Sequence, residues 1–91
     1  MMPANMREWT LKPETEAAYL LPYYLSEPDP RVRGDVGFFI AELVKNPVGR
    51  GVEEVPGVYS AHVHMTGVVV VWVLDWDARE VILAARHAPM S

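Results

Sequence analysis

The 91-residue chain contains no cysteine. That excludes a disulfide framework, a cysteine-bound zinc centre and a thiol nucleophile, and it fits a reducing cytoplasm. Long apolar runs are also missing. The longest, residues 68–74, has seven members, against the roughly 20 that a membrane-spanning helix needs. No basic stretch followed by an apolar core appears at residues 1–6, so no secretory leader is expected and the expected location is cytoplasmic. Positive charge is scarce as well: eight Lys and Arg stand against twelve Asp and Glu, a net charge of −4. An acidic chain gains nothing from long-range attraction to phosphate backbones, which counts against a nucleic-acid partner unless basic groups cluster locally. No glycine-rich phosphate loop is present, and Ser26, Ser60 and Ser91 have no nearby base in sequence.

What is present is a folding composition. Apolar residues make up 51% of the chain, which suits one small domain spanning residues 1–91 with a single core. The chain is organised around residues 58–87, where β-type runs are separated by the polar breaks Thr66-Gly67 and Asp75-Trp76-Asp77-Ala78. That is the pattern of an antiparallel meander. The middle run is apolar throughout and reads as a central strand. The run before it alternates: Tyr59, Ala61, Val63 and Met65 share one face, Ser60, His62 and His64 the other.

Upstream, Arg7-Glu8-Trp9-Thr10-Leu11 reads as a first strand. Pro13 begins a helix with Glu14 and Glu16 near its N-terminus, and Ala17, Leu21, Tyr24 and Leu25 form the apolar stripe expected to be buried. Pro22 should bend or break that helix. Asp29-Pro30 starts a second helix that runs to about Lys45, with Val32, Val36, Phe39, Ile40 and Leu43 inward and Arg31, Arg33, Asp35 and Glu42 outward. Gly34 and Gly37, one turn apart, leave room for a close neighbour. Asn46-Pro47 stops the helix, and residues 48–57 read as a loop. The order is β-α-α-β-β-β, an α+β fold with a helical hairpin packed on a mostly antiparallel sheet.

Several stretches carry a family resemblance: Glu42-Leu43-Val44-Lys45-Asn46-Pro47 at a helix end, Gly49-Arg50-Gly51-Val52-Glu53-Glu54, Gly57-Val58-Tyr59-Ser60, Thr66-Gly67 before Val71-Trp72-Val73-Leu74-Asp75, and Val81-Ile82-Leu83-Ala84-Ala85-Arg86-His87. In this order and spacing they resemble the RelE/ParE superfamily of type II toxins, closest to its YoeB-like branch. The resemblance implies a toxin that cleaves messenger RNA in the ribosome without metal or cofactor, and a cognate antitoxin as partner; a homodimer stays open. A metal-free ribonuclease needs a base for the ribose 2′-hydroxyl, an acid for the leaving oxygen and cations for the phosphate. The resemblance assigns these roles to Glu54, Arg86 and His87, with Lys45 and Arg50 as RNA contacts. Three departures stand out, one being that the near-terminal tyrosine is missing, with Met90-Ser91 in its region. Val69 replaces the arginine expected early in the central strand, and Ala88-Pro89 replaces a basic pair.

His62 and His64 have a His-x-His spacing that can bind zinc, but His87 is the only other histidine. The pair therefore reads as an exposed RNA- or partner-facing element with no metal. Trp72 reads as core and Trp76 as the freer ring, able to stack on a base. Two other classes stay open: a non-catalytic binder of the same fold (ParE-like, holding a target such as DNA gyrase, or an inactivated relative), and an unrelated self-associating protein.

Overall fold

The computed structural model describes residues 8–87, with side chains described through Ala84. Strand β1 is Thr10–Leu11. A helical segment follows, here α1, made of Pro13–Thr15, a π-helical turn Glu16–Leu20, and Leu21–Ser26. Helix α2 is Pro30–Leu43, and strands β2 to β5 are Val52–Val55, Val58–His62, Val69–Asp75 and Glu80–His87. The sheet order is β1-β5-β4-β3-β2. Only the β1–β5 pairing is parallel. The apolar run thus forms the central strand, as its lack of a polar face predicts.

α2 starts where Asp29-Pro30 indicates: the Asp29 carboxylate accepts from the Arg31 backbone N–H at 2.9 Å, satisfying an otherwise orphan helix donor. Its Val36, Ile40 and Leu43 are buried, while Val32 and Phe39 pack at the margin. Gly37 admits the Tyr24 ring against the helix backbone, its hydroxyl 3.1 Å from where a Cβ would stand; Gly34 faces open space.

α1 departs from expectation. Its α-helical pattern is interrupted just before Pro22 by the π turn, but it does not bury the anticipated stripe. Leu20 and Tyr23 enter the core and Tyr24 is half-buried, whereas Ala17, Leu21 and Leu25 face outward. A proline ring clashes with the carbonyl four residues back, here Ala18. The π turn carries the chain past that point, with the Leu21 N–H reaching the Glu16 carbonyl, and it shifts the phase of the buried face.

The second correction is β2. Residues 52–55, read as loop, form a fully exposed edge strand. In its pairing with β3, Glu53 opposes Tyr59 and Val55 opposes Val58, leaving Glu54 as the extra residue of a bulge. At the other edge β1 holds two residues, shorter than the strand anticipated.

Among the described residues, the helices cover one sheet face. Trp72 is its centre: fully buried, stacked on Tyr59, edge-on to Phe39, and donating from Nε1 to the Pro47 carbonyl at 3.1 Å. Gly51 lies so close that an added Cβ would stand 2.5 Å from both the Ser60 carbonyl oxygen and the Trp72 ring. Trp76, by contrast, is 57% exposed and meets Trp9 edge-on at 5.0 Å, with the Arg79 guanidinium over the Trp9 ring.

Candidate functional site

Because side chains alternate across a strand, the rows between the buried ones form the uncovered face. Cross-strand register sets these rows. Val58 opposes Val73, which opposes Ile82; Ser60 opposes Val71; His62 opposes Val69, which opposes His87. Val58, Ser60, Val69, Val71, Val73 and Ile82 are half-buried, and His62 is exposed at the end of β3.

The bulge in β2 delivers Glu54 to this face. The Ser60 hydroxyl donates to Glu54 Oε2 at 2.5 Å. Ser60 therefore has a carboxylate partner after all, six residues away along the chain and brought close by strand pairing. His62 lies two residues further along the same face of β3. Glu54, Ser60 and His62 make a polar strip along a face otherwise built from valine and isoleucine.

His87 enters the strip only through backbone register. A bulge at Ala84, between the pairs Val71–Ala85 and Trp72–Leu83, sets Arg86 opposite Val70 and His87 opposite Val69. The side chains of Arg86 and His87 lie outside the described residues.

The remaining expected RNA contacts are elsewhere. Glu42, half-buried at the end of α2, binds Arg50 Nη2 at 2.8 Å through Oε1 and Lys45 Nζ at 3.2 Å through Oε2. Neither cation is left uncompensated, although exposed pairs of this kind contribute only about 0–1 kcal/mol. Glu42 was legible as a polar helix residue, but not as the anchor of both cations. His64 is also displaced: residues 64–66 turn, Met65 adopts φ 61°, and the histidine leaves the strand. It lines a shallow cleft of about 190 Å³ with Asp35, Phe38, Val63 and Met65, against α2. His62 and His64 are thus not neighbours on one strand face. Among the described residues, no group of three His, Asp or Glu is placed to hold a metal ion.

Chemically, the strip offers a carboxylate, a hydroxyl and an imidazole, groups able to accept or donate a proton. It lacks positive charge. Among the described side chains, no Lys or Arg occupies the rows around Ser60 and His62, and Val69 stands between the two histidine positions. No helix among the described residues is long and apolar enough to cross a membrane.

No protein-family model matches the chain, and no curated protein matches it in sequence. Solved structures do. The isolated E. coli RelE toxin, in its P21 crystal form, superposes over 93% of this chain and 88% of its own, with a TM-score of 0.66 at 15% identity. A chain of the intact E. coli RelBE toxin–antitoxin complex superposes over 93% of this chain and all of its own, with a TM-score of 0.67 at 13% identity. The chain therefore has the RelE-like toxin fold.

Proposed function

We propose that this chain is the toxin of a type II toxin–antitoxin pair, restrained by a cognate antitoxin, and that it acts by holding a macromolecular target without cutting RNA. The toxin assignment rests on likeness to RelE over nearly the whole chain. The mode of action rests on one observation: the open face presents Val69, followed along β4 by Val71 and Val73, where phosphate chemistry calls for a cation. The net charge of −4 and the pairing of Lys45 and Arg50 with Glu42 support the same reading.

A second reading is favoured by the Glu54–Ser60 contact, which holds a carboxylate on the same face of β3 as His62, two residues further along. In it the protein is an endoribonuclease acting on ribosome-bound mRNA, with Glu54 and His87 as base and acid and Arg86 and Arg50 as cations. Induced expression in a bacterial host, with growth and primer-extension mapping of a messenger followed together, separates the two. Arrest with intact RNA is expected. New RNA ends that vanish in a Glu54→Ala, Arg86→Ala, His87→Ala variant establish the nuclease. Absence of arrest refutes the toxin reading.

A further inference from the structure

Two of the chain's eight basic side chains converge on a single carboxylate. Glu42 takes Arg50 Nη2 on Oε1 and Lys45 Nζ on Oε2, one cation to each oxygen. Stability does not account for the arrangement, since exposed pairs of this kind contribute little. The position is also unfavourable for an anion. Glu42 lies in the last turn of α2, where the carbonyl ends of the helix already carry partial negative charge. With a side-chain exposure of 23%, against 72% for Lys45 and 44% for Arg50, it is the least hydrated of the three.

The cluster stands at a telling end of the sheet. β2 runs antiparallel to β3 with Val52 opposite Ser60, so Arg50, two residues earlier, enters from the end that bears His62. There His62 and the backbone of His87 flank Val69. A guanidinium and an ammonium closing on two oxygens of one group suit a phosphate as well as a carboxylate. Glu42 fills the place that a phosphate would take. A polyanion gains affinity from each free cation that replaces its condensed counterions, whereas here each cation must first be drawn off Glu42. That strands a half-buried carboxylate beside the incoming charge, and an ion that loses its partner costs more than the pair contributed. Discrimination between partners is often built in this way, by a group that penalises the wrong one.

We propose that Glu42 is a specificity residue: its carboxylate occupies the anion site formed by Lys45 and Arg50 and so bars nucleic-acid phosphate from the His62 end of the sheet. The proposal deepens, and rests on, the reading of a toxin that holds its target without cutting RNA.

The test is fluorescence anisotropy of a labelled oligouridylate with the full chain, between 50 and 200 mM salt. Glu42→Gln keeps the shape of the side chain and an accepting oxygen while removing the charge. Its affinity should exceed that of the wild type about five- to tenfold at 50 mM salt, and the slope of log K against log salt should steepen by about 0.7 for each cation that a phosphate now reaches. The gain should vanish in Glu42→Gln/Lys45→Gln/Arg50→Gln, with far-UV circular dichroism and melting temperature verifying that each variant is folded. Asp77→Asn removes the same charge from an exposed turn at the opposite end of the sheet, and should change little. Unchanged affinity and slope in Glu42→Gln overturn the proposal. So does an equal gain in Asp77→Asn, or a gain that survives the triple substitution. A wild type that already binds tightly with a steep slope overturns the underlying reading instead, and its difference from Glu42→Gln still decides the role of Glu42.

Discussion

Replacing Trp72 by phenylalanine tests the packing of the whole domain at one point. Trp72 has no solvent exposure, and its indole N–H is bound to the Pro47 carbonyl, itself part of a buried residue. Phenylalanine keeps an aromatic ring for Tyr59 and Phe39 but removes the donor and part of the volume. An orphaned buried acceptor costs about 1–3 kcal/mol. The unfilled space adds to that, since the full truncation of such a ring to alanine costs about 3–5 kcal/mol. The sum expected for Trp72→Phe is about 2–4 kcal/mol, a large share of the roughly 5–15 kcal/mol that holds a domain together. For a domain of this size that lowers Tm by about 10–30 °C. Urea and thermal unfolding followed by circular dichroism measure both. Trp76→Phe is the control: that ring is 57% exposed, and losing its edge contact with Trp9 should cost under about 1.5 kcal/mol. Equal losses at the two positions, or a Trp72→Phe cost below about 1 kcal/mol, would refute the placement of the core and its Pro47 anchor.

Gly51→Ala should destabilise by about 1–3 kcal/mol in urea unfolding, because the new methyl meets the rigid Ser60 carbonyl and the Trp72 ring at 2.5 Å; an unchanged midpoint would mean that the loop moves freely. Val69→Arg should leave the circular dichroism intact, since the site is half-buried on the uncovered face, and should raise affinity for single-stranded RNA in fluorescence anisotropy with a steeper salt dependence. Tyr24 is pushed above the ordinary tyrosine value of 10.0, first by burial and then by the nearby Glu16 carboxylate. Its folded-state value exceeds its unfolded one, so its stabilising contribution is complete below pH 10 and is lost as pH rises through the folded value. Unfolding at pH 8 to 11.5 should therefore show a steeper alkaline decline for the wild type than for Tyr24→Phe.

Legibility in the sequence followed the physics of each element. Residues 68–74 had no polar face, which can only be central, and β4 occupies the middle of the sheet. Asp29-Pro30 marked the start of α2 because cap chemistry is local. β2 was invisible for the opposite reason. Val52-Glu53-Glu54-Val55 is exposed at every position, so burial leaves no periodic trace. The apolar face of α1 was assigned with a constant helical period, but a π turn before Pro22 rotates the downstream residues and exposes Leu21 and Leu25. His64 was placed on a strand that ends two residues earlier, where a left-handed Met65 closes the turn. Alternation cannot announce its own end. The Glu54–Ser60 contact and the capture of Lys45 and Arg50 by Glu42 both depend on strand register or on where a helix ends in space, which spacing along the chain does not encode.

The composition of the open face narrows the kind of target that could seat there. Valine suits a pleated, half-buried surface, so Val69, Val71 and Val73 stabilise β4, and of these Val69 stands where the family resemblance puts an arginine. A polyanion approaching this face meets no cation among the described side chains of its central rows, and a protein of charge −4. Its binding would rest on few phosphate contacts and would be weak even at low salt, because affinity and salt slope both scale with the number of phosphates neutralised. A partner presenting apolar side chains gains from each buried valine and loses little with ionic strength. The polar strip of Glu54, Ser60 and His62 would then orient that partner along one side. The salt dependence of complex formation with any isolated target is therefore diagnostic of mechanism. Binding that holds between 50 and 500 mM salt is what an aliphatic face produces, and a steep loss over that range would return the weight of the argument to RNA.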